Sequence, residues 1–282
     1  MIFPLSVISL ESKTKIVIHV QCLPLYPQIL SWATDHALPI IENLSDPLCM
    51  QRPVLLIDES GSLSLYRNEN KQKMSVNVDF SGGHNLYRRQ QATIKNELLA
   101  RAVGLKSSQT QALKIVDATA GFGRDSLLLA SLGCEVVMLE RSTLMVLLLT
   151  DGLRRARENS GLVAIMARLQ LQHINASDYI QHLNFDDQAK TATAAFVPDV
   201  IYLDPMFPSS KNNAQVKKDM RILREVIGED VDGEVLVQTA LASGVKRVVI
   251  KRPRKGEALG QRKPDHQVLG QSSRFDVYFS KR

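Results

Sequence analysis

The chain has 282 residues, 44% hydrophobic and 23% charged, which suits a soluble globular protein of one large domain or of a small domain plus a standard one. Its three cysteines, Cys22, Cys49 and Cys134, lack a CxxC spacing and argue against a disulfide framework or a thiolate zinc site, and no apolar run reaches the roughly 20 residues a membrane span needs. The net charge of +6 is all C-terminal: residues 206–282 hold 16 Lys and Arg against 9 Asp and Glu, eight of the cations lying between Lys246 and Lys263. Such a run suits a surface facing phosphates, although a solvated face explains it equally well.

Met1 to Leu10 is apolar but has no basic n-region or small-residue cleavage site, so it does not read as a signal peptide; with reduced thiols, the expectation is a cytoplasmic protein. Lys15–Val20, Val54–Asp58 and Ser62–Tyr66 read as strands, with a helix over Pro27–Ala37 between the first two. These form a small α/β domain, residues 1–75, closed by a polar joint at Asn68–Lys73. A second domain is expected over 76–282. It opens with Val78-Asp79-Phe80-Ser81-Gly82-Gly83-His84-Asn85-Leu86-Tyr87-Arg88-Arg89, a glycine turn followed by a helix over Gln90–Val103. Asp79, His84, Arg88 and Arg89 could line a substrate mouth; an ordinary capped turn accounts for the same residues.

From Lys114 strands and helices alternate, as in a mostly parallel sheet with crossover helices. Ile115–Asp117 is a buried strand that breaks into Ala118-Thr119-Ala120-Gly121-Phe122-Gly123, and a helix follows over Arg124–Leu132. Gly121 and Gly123 allow backbone dihedrals closed to other residues and let a ligand approach the main chain, while the helix start offers free N–H groups; Asp117 belongs to the same candidate nucleotide-binding loop. The strand Cys134–Glu140 ends in Glu140, about 20 residues on, where an acid can accept hydrogen bonds from both hydroxyls of a ribose. Next come a helix over Thr143–Asn159, a strand over Leu169–Asn175, and Ser177-Asp178, which can reach an adenine edge or cap a short helix over Tyr179–Leu183. The strand Asp199–Leu203 runs into Asp204-Pro205-Met206-Phe207-Pro208. Helices over Gln215–Ile227 and Asp232–Ala242, a strand over Lys246–Pro253, and a terminal antiparallel hairpin (His266–Leu269 and Arg274–Phe279) complete the chain.

Gly121, Glu140, Ser177 and Asp204 all project from carboxyl ends of strands, where ligands of open α/β sheets bind. A dinucleotide fits poorly, because Ser126 stands where a third glycine is needed and Asp125 would oppose a pyrophosphate; no GxxxxGK[ST] loop or HExxH pair occurs, and no metal is expected. A ligand with a ribose, an adenine and a positive group suits these acids, and S-adenosylmethionine is one. Asp204-Pro205-Met206-Phe207 supplies what transfer to an exocyclic amine requires: the Asp204 carboxylate and the Pro205 carbonyl to accept N–H groups, proline to stiffen the turn, and Phe207 to stack on the base.

Asp117 to Asp125, Met138-Leu-Glu-Arg141, Tyr202 to Pro208, Val216 to Arg221 and Lys251-Arg-Pro253 together resemble the ribosomal RNA small subunit methyltransferase J family. The resemblance runs from about Val78 to the C-terminus. It implies a Rossmann-like class I S-adenosylmethionine-dependent methyltransferase that methylates N2 of a guanosine near the 3′ end of 16S rRNA, with naked RNA or the small subunit as partner. It also implies cofactor contacts at Arg124, Asp125, Glu140, Arg141, Ser177, Asp178 and Asp204. Asp178 stands where a second serine is expected. His84, Arg88, Arg89, Lys251 and Arg252 are the expected RNA contacts, and a monomer is expected. Rival readings are an adenine-N6 or DNA amino-methyltransferase, a non-catalytic RNA-binding factor on the same fold, and a dinucleotide oxidoreductase.

Overall fold

A computed structural model describes residues 16–69, 72–183, 196–205, 222–223, 226–228, 232–256 and 262–280. The chain divides into two compact units, one of residues 1–77 with 211–228 and one of residues 78–210 with 229–282.

The first unit is built on a five-stranded sheet. Its elements are β1 (Val17–His19), α1 (Gln28–Asp35), β2 (Ile40–Ile41), α2 (Leu48–Gln51), β3 (Val54–Ile57), β4 (Leu63–Glu69) and β5 (Gln72–Val76), in the sheet order β2-β1-β3-β4-β5. The helix expected to reach Ala37 stops at Asp35, and Ala37 takes a left-handed φ of 49°. Asn68–Lys73 is not a joint between domains. Asn68 pairs with Lys73 and Glu69 with Gln72, so these polar residues belong to a β4–β5 hairpin inside the first sheet. Val17, Ile41, Cys49, Val54 and Leu56 form a buried cluster in this unit.

The second unit starts with α3 (Gly83–Gln91) and α4 (Leu98–Val103). The expected single helix over Gln90–Val103 is therefore two, because Ala92 is extended (ψ 128°) and Thr93 and Asn96 bond each other's main-chain N–H through their side chains. These reciprocal bonds stop one helix and open the way to the next. The rest is β6 (Lys114–Asp117), α5 (Arg124–Ser131), β7 (Glu135–Glu140), α6 (Thr143–Arg157), α7 (Val163–Met166), β8 (Leu169–His173), α8 (Ala176–Gln181), β9 (Val200–Leu203), α9 (Gly233–Ala242), β10 (Arg247–Pro253), β11 (His266–Leu269) and β12 (Ser273–Phe279). Most of the segment expected as a helix over Gln215–Ile227 lies outside the described residues.

The second sheet has the order β11-β12-β10-β9-β6-β7-β8. Strands β8, β7, β6, β9 and β10 pair in parallel, and β12 lies antiparallel between β10 and β11. Strand order reverses at β6, with β7 and β8 on one side and β9 and β10 on the other, so a crevice opens beyond the carboxyl ends of β6 and β9. One sheet face buries Val116, Val137, Leu139, Ile201, Leu203, Val248 and Ile250 together with Val237 and Ala240 of α9. Alternation then puts Asp117, Met138, Tyr202 and, two residues past Val249, Lys251 on the other face.

Helix α6 shows how locally the chain specifies this frame. Ser142 caps it by accepting from the Met145 N–H, and Arg154, Arg155 and Arg157 sit in its last turn, where cations suit the dipole. Gly152 lies inside it because a β-carbon there would stand 2.6 Å from Val78 Cγ1 and 2.8 Å from the Val78 carbonyl oxygen.

Candidate active site

The crevice is lined first by the turn between β6 and α5. Gly121 and Gly123 have φ of 51° and 70°, left-handed values that favour glycine, for different reasons. A β-carbon on Gly123 would press on Phe80 (2.9 Å) and Leu149 (3.2 Å), whereas one on Gly121 would meet nothing nearer than the Thr119 carbonyl oxygen at 3.8 Å. The main chain is thus packed against protein at Gly123 and open at Gly121. Gly123 is also the N-cap of α5 and offers no side chain, so the first N–H groups of that helix have no side-chain cap.

Asp117, 1% exposed, holds the turn from below. It accepts from the Ser126 hydroxyl at 2.5 Å and from the Thr119 N–H at 3.1 Å, and burial pushes its carboxyl up to about 7. The Thr119 hydroxyl accepts from the Asp204 N–H at 2.6 Å, which ties the ends of β6 and β9 together. Across the crevice, Glu140 closes β7 and accepts from the Ser142 N–H at 2.8 Å. Burial raises its carboxyl, and the facing N–H groups of Ser142 and Gly121 oppose that rise.

Asp204 leaves β9 with about 40% of its side chain open to solvent, and Pro205 after it is buried. Lys251 Nζ lies 2.7 Å from Asp204 Oδ2 and 2.9 Å from Asp125 Oδ2. Asp125 also accepts from the Tyr202 hydroxyl at 2.7 Å and from Arg88 Nη1 at 2.8 Å. Burial alone would push Asp125 up; the Lys251 and Arg88 cations outweigh it and hold the carboxyl down at about 2. For Asp204 burial prevails and the carboxyl is raised, with Lys251 pulling the other way and the Asp125 charge adding to the rise. Tyr202, buried beside three carboxylates, is pushed well above the ordinary phenol range.

The structure therefore brings Asp117, Gly121, Gly123, Asp125, Glu140, Asp204 and Pro205 to one crevice. Ser177 and Asp178 lie in the first turn of α8, but Asn175 is its cap, accepting from the Ser177 N–H at 2.8 Å, and the helix starts three residues earlier than expected. The Arg124 guanidinium stacks over the Phe122 ring at 5.1 Å. That of Arg141 grips both Asp232 oxygens at 2.8 and 2.6 Å, so its charge is already matched within the protein. Phe207 and the side chain of His84 lie outside the described residues.

Three of the expected RNA contacts are engaged or buried within the protein. Arg88 is paired with Glu97 at 3.1 Å and with Asp125, Lys251 with two carboxylates, and Arg252 is 7% exposed, so none stands on the surface as a free cation. Arg89 is half-buried. The place of Lys251 beside Asp204 follows from strand register. Ile250 pairs with Leu203, and the next residue of each parallel strand must then stand side by side.

The crevice fits the ligand that its donors suggest. An unobstructed main-chain turn at Gly121, an acid at Glu140 and the uncapped start of α5 can cradle a nucleoside, and the surrounding carboxylates favour a positive group. A family model for S-adenosylmethionine-dependent methyltransferases matches residues 41–280. The ribosomal RNA small subunit methyltransferase J of Thioalkalivibrio sulfidiphilus is 44% identical over 226 residues, covering 80% of this chain and 84% of that protein. The protein of the same name from Ectopseudomonas mendocina is 41% identical over 251 residues, 89% of each chain. Among solved structures, an S-adenosylmethionine-dependent methyltransferase from Neisseria gonorrhoeae superposes with a TM-score of 0.65 at 31% identity, over 94% of this chain and 95% of that one. The family match begins at residue 41, inside the first unit, and so reaches further toward the N-terminus than the motifs from Val78 onward.

Proposed function

The chain belongs to the ribosomal RNA small subunit methyltransferase J family of S-adenosylmethionine-dependent methyltransferases, and from that membership we propose that it methylates the exocyclic N2 of a guanosine near the 3′ end of 16S rRNA. The observation that carries the reading is Asp204 and Pro205 at the carboxyl end of β9, beside the open turn at Gly121.

An aryl amine is a weak nucleophile because its lone pair is delocalised into the ring. Acceptors must hold its N–H groups while the nitrogen becomes tetrahedral, and the Asp204 carboxylate and Pro205 carbonyl supply them, with the Asp204 carboxylate taking the proton that the methylated nitrogen loses. Bound against Gly121 and Glu140, the cofactor supplies an electrophilic sulfonium methyl. Gly121, Glu140, Ser177 and Asp178 hold the nucleoside part, while Asp117 fixes the turn through Ser126 and Thr119. Asp125 acts from beneath through Lys251 rather than on the ligand. Phe207 is assigned the stacking face for the base. Positioning and a fixed electrostatic setting account for most of the rate in such a site.

The test is transfer of labelled methyl from S-adenosylmethionine to small ribosomal subunits lacking the modification, to naked small-subunit RNA and to DNA. Label in either RNA form supports the reading. Label in DNA alone, or none anywhere with the cofactor bound, contradicts it.

A further inference from the structure

Lys251 is the residue whose sequence reading and structural setting differ most. It follows Ile250 on β10, whose partner on β9 is Leu203, so the parallel register sets it beside Asp204. Its ammonium is divided between Asp204 Oδ2 at 2.7 Å and Asp125 Oδ2 at 2.9 Å. Asp125 is held in turn by the Tyr202 hydroxyl and by Arg88, and Arg88 by Glu97. Residues of four elements, α3, α5, β9 and β10, thus form one network that meets Asp204 through Lys251. Its other oxygen has no hydrogen-bond partner among the described residues.

Resting on the reading of Asp204 as the acceptor for the target amine, we propose that Lys251 is a positioning residue for methyl transfer: it pins one oxygen of Asp204 and leaves the other to the amine. A carboxylate held by one oxygen keeps one orientation, which a free carboxylate at a half-open position would not. Lys251 also sits between the carboxylates of Asp125 and Asp204, whose charges would otherwise repel each other directly. The cluster facing Asp204 comprises Lys251 on β10, Asp125 on α5 with Arg88 on α3 behind it, Tyr202 on β9 and Asp117 on β6. Lys251 is the cation in that cluster bonded to Asp204 itself, so it opposes the rise that burial and the Asp125 charge impose on the carboxyl.

The experiment compares the full chain with Lys251→Met and Lys251→Arg. It measures kcat and KM for small subunits across pH, RNA binding against salt, and the titration of the Asp204 carboxyl by NMR on 13C-aspartate-labelled protein without cofactor or RNA. For Lys251→Met we expect kcat to fall about 100-fold, the loss typical of a misplaced reacting group. RNA affinity and its salt slope should stay unchanged. Both the acid limb of kcat/KM and the Asp204 titration should move up by about one to three pH units, since an opposite charge at contact distance is removed. Lys251→Arg keeps the charge and should leave the limb in place. Should Lys251→Met fail to fold, Lys251→Met combined with Asp125→Asn removes one charge of each sign, and a smaller upward shift is expected, because the Asp125 charge that also raises Asp204 is gone. Intact kcat with weakened RNA binding and a salt slope reduced by about one would identify a phosphate contact instead and overturn the proposal. An unmoved Asp204 titration would overturn it as well. A wild-type protein that does not methylate guanosine would defeat the parent reading, whereas the titration would still decide what Lys251 does to Asp204.

Discussion

Asp117 is the residue with the clearest physical consequence away from the chemistry. Its ordinary carboxyl value of 3.8 rises to about 7 on folding because the group is buried at the end of β6. The folded state then binds more protons than the unfolded one between those values, so stability is highest at the acid end and declines as pH rises through about 7. The slope from one such group is at most about 1.4 kcal/mol per pH unit. Asp117→Asn keeps the shape and removes the titration, so its stability relative to wild type should improve from pH 5 to about pH 7 and level off by pH 8. Parallel curves in chemical denaturation at the two pH values would contradict this. Asp125 has the opposite sign: with its carboxyl held at about 2, its contribution is intact at neutral pH and disappears only as pH falls below the ordinary 3.8 toward 2.

The turn between β6 and α5 makes a prediction that separates fold from function. Both glycines have positive φ, which costs an alanine about 1–2 kcal/mol. At Gly123 the new methyl also collides with Phe80 and Leu149, adding about 1–3 kcal/mol of overpacking; at Gly121 it makes only ordinary contact with the Thr119 carbonyl oxygen. Gly123→Ala should therefore lose stability strongly, whereas Gly121→Ala should fold and yet bind S-adenosylmethionine at least tenfold more weakly. Thermal melting paired with calorimetric titration reads both, and equal melting losses with unchanged affinity would contradict the account. The strand-glycine-helix run and its acid partner were legible because both signals are local: a β period ending in glycine, then an apolar run ending in Glu140. The split between α3 and α4 was less so, because it depends on reciprocal Thr93 and Asn96 bonds rather than on apolar periodicity.

At the scale of the whole molecule, the alternation from Lys114 onward announced a parallel sheet, and the order β11-β12-β10-β9-β6-β7-β8 places the crevice at the reversal beside β6. Less was legible in the charged residues. A basic run near the C-terminus suggested a surface for phosphates, yet Lys251 is paired with two carboxylates and Arg252 is buried, and composition alone does not reveal that. The residues proposed for the site, Gly121 from one strand end, Glu140 from the next and Asp204 from a strand distant in sequence, meet through topology. The central claim is that this meeting point methylates guanine N2, and the most direct measurement is nucleoside mass spectrometry of small-subunit rRNA incubated with cofactor and either wild-type protein or Asp204→Ala. The account predicts N2-methylguanosine with the wild type and a loss of at least about 100-fold in the variant, as for removal of a group that stabilises the transition state. Methylation at another position, or undiminished N2-methylguanosine in the variant, would contradict it.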